Sequence, residues 1–357
     1  MAFSALLVAV QAGLVLGLLS MMSIPVDKSR ADVWIGYPGT RSVDLGRAMP
    51  ERWVVRAAAH PEVDRAESCI IGFSLWMHTP PGSTDTVSEI CTVIGTRLDP
   101  DSLAAVEAVR LNPEYLAKLS EPHTVIVDEG ELGRLGIRGV GDVAEIFGTR
   151  VRVVGLVNGY RSLGGPYVFC SLNTARALMG YRNDEVTYFV VKCKDPADAD
   201  TVARRTNGYR QLTAFTSEEF SNRTRIHWLT TTKAGIAMGF TAMLGLLVGA
   251  VVTSQTLYAA TAASQREFAT LRAMGIPRWR LKFMVLVQSF WVGLFGIMVA
   301  APFTYLIAEV ATQLGTGVRL HPLILIGSGG ITMLMAIGSG LAALRSFQNV
   351  DPAHNIR

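Results

Sequence analysis

The densest group of chemically competent side chains is a basic elbow. Between Ser264 and Lys282 lie Arg266, Arg272, Arg278, Arg280 and Lys282, flanked on both sides by long apolar runs. Cationic groups so crowded in a short loop resist translocation, so the positive-inside rule places the loop on the cytoplasmic face. Its first half, up to Met274, is rich in helix formers and extends the preceding apolar helix. Gly275 and then Pro277 end that helix in the order a C-terminus prefers. A charged elbow of this kind can receive a push from a soluble partner.

The remaining candidates are weaker. Cys69, Cys91, Cys170 and Cys193 show no CxxC pair and no spaced histidine, so no zinc site is expected. They allow three disulfide pairings or four free buried thiols, and both readings stand. No Gly-x4-Gly-Lys-Ser/Thr loop exists to cradle ATP. The glycine-rich Gly133-Arg-Leu-Gly-Ile-Arg-Gly139 closes a short helix and does not open one after a strand. Asp128, Glu129, Glu131 and Asp142 could be paired on paper, yet no histidine or polar cluster accompanies them, and they read as surface acids in turns. No catalytic, cofactor-binding or metal-ligating set is expected.

The elements around the elbow follow from hydropathy. Of 357 residues half are apolar, the mean hydropathy is +0.32 and the net charge is only +4, which argues against nucleic acid as a partner. Residues 2–26 carry no charge before Asp27 and read as a first transmembrane helix. No Lys or Arg precedes this helix, so either the natural start is expected upstream of Met1 or its first turn is expected to have been lost. Residues 27–232 regain charge, with strand-like Thr124–Val127, Arg150–Val157 and Val186–Cys193, a helix over 129–135 and another over 195–205. That length suffices for an α+β domain with its own core. Residues 234–260, 283–308 and 323–344 read as three further spans. The elbow occupies 261–282, a short outer loop 309–322 and a cytoplasmic tail 345–357. Gly13/Gly17, Gly235/Gly239 and Gly245/Gly249 offer small-xxx-small faces for helix packing. Gln255, Gln288 and Thr304 read as interhelical hydrogen-bond partners. Apart from Glu309 and His321 at the edges the spans carry no ionisable group, so the driving energy is expected to come from outside the membrane.

The run Arg266-Glu267-Phe268-Ala269, followed by Leu271-Arg272-Ala273-Met274-Gly275, resembles the signature loop of FtsX/MacB-type ABC transporter permeases. The tail Val350-Asp-Pro-Ala353 is similar to that family's Asp-Pro-Ala ending, and Pro122–Gly136 with Gly141-Asp142 and Val151–Gly155 is similar to a MacB-like periplasmic core domain. The stretch Ala31–Arg41 looks most like the DevC subgroup. The chain lacks the family's basic, amphipathic start before the first span.

This resemblance implies an α-helical membrane protein with four transmembrane helices, arranged one plus three. The large α+β extracytoplasmic domain would lie between the first and second, in a bacterial cytoplasmic (inner) membrane. It implies a non-catalytic permease subunit of an exporter that binds no cofactor itself, ATP being held by a partner ABC ATPase. A membrane-fusion protein, an outer-membrane channel and a second copy of the chain are the other implied partners. Arg266, Glu267, Phe268, Leu271, Arg272, Ala273 and Gly275 would form the ATPase-coupling set. Phe268 and Leu271 would share a helix face, with the charged residues setting register. An FtsX-like regulator of a cell-wall hydrolase and a lipoprotein-releasing permease are the alternatives. A membrane-tethered enzyme is the third class, without a nucleophile–base or metal pattern to support it.

Overall fold

The computed structural model describes residues 2–80, 85–263, 270, 274, 277–313 and 322–348. The chain divides into two compact units, one of residues 19–232 and one of residues 1–18 with 233–357.

The unit of residues 19–232 begins in the last turn of helix α1 (Ala2–Met22), followed by α2 (Ile24–Asp27). Its strands and helices then follow in the order β1 (Val33–Gly36), β2 (Met49–Pro50), α3 (Val54–Ala58), β3 (Val63–His78), β4 (Val87–Thr96), α4 (Glu107–Arg110) and α5 (Pro113–Leu119). After them come β5 (Thr124–Asp128), α6 (Leu132–Leu135), β6 (Val143–Ile146), β7 (Thr149–Val157), β8 (Tyr167–Ser171) and α7 (Leu172–Met179). The last are β9 (Glu185–Val186), β10 (Tyr188–Cys193), α8 (Ala199–Thr206), β11 (Thr213–Thr216) and α9 (Ser217–Thr231).

Local chemistry sets these boundaries. Asn112 caps α5 by accepting from the amides of Glu114 and Tyr115, with Pro113 at the first helical position. Gly136 ends α6 with φ of 69°, in the left-handed region that a β-carbon disfavours. The glycine-rich run 133–139 therefore closes a helix, as its sequence suggests. The strand-like run 186–193 is broken into β9 and β10, because Thr187 turns its hydroxyl to the amide of Ile71 at 2.8 Å.

Strand β3 organises the sheet. Its first part, Val63 to Cys69, pairs antiparallel with β10, which continues through β1 to β11. From Ile70 to His78 it pairs instead with β4, and the order runs on through β8, β5, β7 and β6. β6 returns to β3 at Trp76↔Ile146, so these six strands close on themselves. One strand thus belongs to a four-stranded sheet and to a closed six-stranded one. The β4–β8 and β5–β7 pairs are parallel, the rest antiparallel.

Two apolar clusters flank the strands. One gathers Val33, Ile70, Trp76, Val125 and Phe189, the other Trp34, Ile71, Ile94, Ile126 and Phe220. The alternation of neighbours between clusters, Trp34 against Ile35 or Ile70 against Ile71, is the period-two signature of a sheet covered on both faces. All four cysteines are buried free thiols within this unit. Burial pushes the Cys91 thiol up to about 12 and that of Cys193 to about 11, so neither is poised as a nucleophile.

The other unit contains α1 up to Leu18 and the helices α10 (Lys233–Ala263), α11 (Arg278–Gln313) and α12 (Pro322–Gln348). Ala5–Met22, Lys233–Thr256 and Phe283–Ile307 are long and apolar enough to cross a membrane, and Leu325–Gly338 is a shorter apolar run. Small residues mark the contacts. A β-carbon on Gly245 would lie 1.7 Å from Gln11 Oε1, and Gln11 Nε2 donates to the Thr241 carbonyl at 2.9 Å, joining α1 to α10. On α11, Gly293 leaves room for Ala336 and Met333 of α12. Gly239, by contrast, has nothing within 4 Å of where its β-carbon would stand. Thr304, expected between helices, instead donates to the Ala300 carbonyl of its own helix at 2.9 Å. That acceptor is one turn back and already in reach, which makes the bond local.

Candidate functional site

The residues expected to couple the chain to an ATPase (Arg266, Glu267, Phe268, Leu271, Arg272, Ala273 and Gly275) lie outside the described residues. The frame on either side is described. Helix α10 runs to Ala263, the Met274 amide donates to the Thr270 carbonyl at 3.1 Å, and α11 begins at Arg278. The Arg280 amide donates to the Pro277 carbonyl, and its guanidinium lies over the Trp279 ring, 5.4 Å from the centroid.

A second constellation lies in the unit of residues 19–232, where the chain enters through α2 and leaves through α9. Asp27, at the end of α2, receives Arg225 Nη2 at 2.6 Å, Ser221 Oγ at 2.6 Å and Ser23 Oγ at 2.7 Å. Arg225 Nε donates to Ser23 Oγ at 2.8 Å, which closes the network. The Asp27 and Arg225 side chains are each about one-third exposed (33% and 35%), so screening keeps the ion pair modest and the geometry matters more than the energy. Four side chains from two helices are thereby held in one arrangement.

Further along, α9 is tied to the segment around β1. Thr216 caps it by accepting from the Glu219 amide, and Ser217 Oγ donates to the Ala31 carbonyl at 2.5 Å. Arg223 Nε donates to the Thr40 carbonyl at 3.2 Å, and the guanidinium lies 4.9 Å over the Phe215 ring. Trp228 Nε1 reaches Asp44 Oδ1 at 3.2 Å, and the buried Thr224 hydroxyl accepts from the Val43 amide. Phe220 fills the space between, within 6 Å of Trp34, Tyr188 and Phe215 ring centroids. Displacing α9 would therefore displace β1 and the 40–44 segment with it. The arrangement can transmit force, and it presents no nucleophile–base pair.

This set went unread in the sequence. Its one local signal was Thr216-x-x-Glu219, the spacing of a capping box, just before a helix of mixed polarity. Nothing in the spacing links Asp27 to Arg225, nearly two hundred positions apart.

The acids of the 128–142 region require a correction. Asp128 and Glu131 are buried, at 0% and 4% exposure, and are not surface residues. Asp128 accepts from the amides of Gly130 and Tyr160 at 2.8 and 2.7 Å, with Arg161 at 3.8 Å. A carboxylate at a strand end that satisfies two amides is stable inside, because those bonds replace water. Glu131 lies 3.4 Å from Arg134, and burial raises its carboxyl above the usual range despite that cation. Among the described residues no group of three His, Cys, Asp or Glu could hold a metal ion.

Comparison with known proteins assigns the two halves of the sequence. Residues 1–209 match the MacB-like periplasmic core domain, and residues 239–352 match the FtsX-like permease C-terminal domain. An uncharacterized ABC transporter permease of Methanocaldococcus jannaschii is 24% identical over 234 residues, covering 61% of this chain and 57% of that protein. The chain thus spans little more than half of that relative's length. The extracellular domain of the noncanonic ABC-type transporter YknZ from Gram-positive bacteria is 10% identical with a TM-score of 0.35, over 51% of this chain and 98% of that one. The periplasmic region of MacB from Actinobacillus actinomycetemcomitans is 10% identical with a TM-score of 0.36, over 58% and 97%.

Proposed function

Since the chain belongs to the MacB/FtsX type of ABC transporter permease, a membrane protein with a large α+β extracytoplasmic domain, we propose that it is the permease subunit of an exporter driven by a separate ATPase. ATP-driven closure of that ATPase presses on the elbow at residues 261–282. The adjoining helix carries the motion to the extracytoplasmic domain, and the domain drives export together with a membrane-fusion protein and an outer-membrane channel. Two copies of the permease working on two ATPases form the simplest symmetric assembly. The stretch Ala31–Arg41 supports a DevC-like member of the type.

The observation that carries this reading is the FtsX-like match over residues 239–352, which takes in the elbow, most of the helix before it and all of the helix after it. Within the elbow, Arg266, Glu267, Phe268, Leu271, Arg272, Ala273 and Gly275 are the proposed contact set. Phe268 and Leu271 fill a groove on the ATPase, and the charged residues set register. The Asp27–Arg225 network supports the same reading from the other end, since it binds α9 to the domain.

The test is ATPase stimulation in proteoliposomes holding the permease and its cognate ATPase. Phe268→Ala and Gly275→Leu are each expected to abolish stimulation while the permease still inserts. Full stimulation in both variants would refute the coupling role. A pull-down in mild detergent separates exporter from regulator: a fusion protein retained beside the ATPase supports export, a cell-wall hydrolase in its place overturns it.

A further inference from the structure

The unit of residues 19–232 contains a cavity of about 700 Å³ that the coupling reading does not use. Its wall is of two kinds. Leu45, Phe73 and Met179 supply apolar surface, and Gly72 on β3 leaves space that Met179 enters, since a β-carbon there would come within 2.8 Å of the Met179 methyl. Arg41, Arg47 and His227 supply basic groups. Among the described residues none of these three has a hydrogen-bond or ion-pair partner, whereas most arginines of this unit are paired. The one carboxylate in the wall, Asp44, is engaged by Ser42 Oγ and Trp228 Nε1 on the same oxygen.

Two unpaired guanidinium groups and an imidazole beside an apolar wall select for a particular chemistry. Guanidinium recognises phosphate or carboxylate in a fork-like geometry. The volume lies within the range of sites that enclose a small ligand, and exceeds what an inorganic anion fills. The apolar surface would then meet a hydrocarbon portion, with burial contributing about 0.8 kcal/mol per methylene. We propose that this cavity binds an anionic amphiphile, a phosphate or carboxylate headgroup on Arg41 and Arg47 with a short apolar chain against Leu45, Phe73 and Met179. The site is independent of the coupling reading, because it needs neither the ATPase nor the elbow.

Its occupant also bears on α9. His227 and Trp228 are neighbours on that helix, one lining the cavity and the other holding Asp44. A headgroup placed there touches the helix that fastens the domain.

The test uses the full chain in nanodiscs of phosphatidylcholine, with hexyl phosphate titrated calorimetrically and empty discs as the blank. Saturable binding of one hexyl phosphate per chain is expected. The double variant Arg41→Gln with Arg47→Gln should weaken it at least tenfold, and Leu45→Asn severalfold. Both arginines and Leu45 are exposed, so these changes leave the core intact. Hexanol and hexyltrimethylammonium should not bind, and inorganic phosphate should bind at least tenfold more weakly. Absence of saturable binding, equal affinity in the double variant, or equal affinity for inorganic phosphate would each overturn the proposal. Discs containing phosphatidylglycerol identify the source: competition with hexyl phosphate supports a membrane lipid, and unchanged affinity supports a soluble amphiphile, both within the proposed chemistry.

Discussion

The two units of this chain use polar side chains in opposite ways. Between residues 19 and 232 they reach far along the sequence: Asp27 to Arg225, Tyr167 to the Met21 carbonyl, Trp76 to the Leu135 carbonyl, Lys192 to Asp32. In the apolar helices Thr256, Ser289, Thr304 and Thr332 each turn back on their own backbone, donating to the carbonyl four residues earlier. Gln11 to the Thr241 carbonyl is a bond between helices there. The difference follows from the surroundings. A sheet domain in water can fix its geometry with directional bonds. An apolar helix has no water to satisfy an unmade bond, so its safest partner is one turn away, and close approach falls to small residues.

That contrast can be broken at points of graded severity. Asp128→Ala removes a fully buried carboxylate, leaving two amides unpaired and Arg161 without its anion. It should destabilise the extracytoplasmic unit by about 3 kcal/mol, read by urea unfolding of the chain in nanodiscs. Gly245→Leu should loosen α1 from α10, because a side chain there displaces the Gln11 amide that bonds the Thr241 carbonyl. The expected cost is about 2 kcal/mol, measured as lost disulfide crosslinking between cysteines placed on the two helices, while unfolding of residues 19–232 stays as in wild type.

Glu131→Gln gives a smaller, pH-dependent effect. The folded carboxyl titrates above its ordinary value of 4.5, so its contribution is fully present below that pH and is lost as pH rises through the folded value. The wild-type unit should therefore lose stability above pH 4.5 relative to the glutamine variant, and Tm measured across pH 4 to 8 checks the sign. Smallest of all, Thr304→Val should change helix stability by less than about 0.5 kcal/mol, since it deletes only a local back-bond. A loss of several kcal/mol there would sink the contrast itself.

Much of this was legible in the sequence, and the misses have physical reasons. Thr124–Asp128 and Thr149–Val157 announce themselves as β-branched runs bounded by turns. The family could be reached from the elbow and the periplasmic segment, because both are short contiguous motifs. Strand β3 was not singled out, for it opens with Asp64, Arg65 and Glu67 and shows no clean alternation. Glu67 is nevertheless 2% exposed, because the Leu103 amide and the Ser102 hydroxyl reach it from distant positions and Arg65 pairs with its other oxygen. The buried Asp128 and the α9 fastening escaped for the same reason. A local reading sees propensity and cannot see which remote donor will arrive to neutralise a buried charge.

That β3 serves two sheets also sets a timetable. The strand is among the first pieces of the domain to leave the membrane, yet Tyr188, which pairs with Cys69, follows more than a hundred residues later. The hairpin with β4 can form early; the first half of the strand, Val63 to Cys69, must wait unpaired for nearly the whole domain to be synthesised. The strands of the closed six-stranded sheet all lie within residues 63–171 and can assemble before β10 is made, whereas every pair of the four-stranded sheet needs β10 or β11, so that sheet is expected to form last. Premature partners for that waiting edge, including a second nascent copy, are its principal hazard.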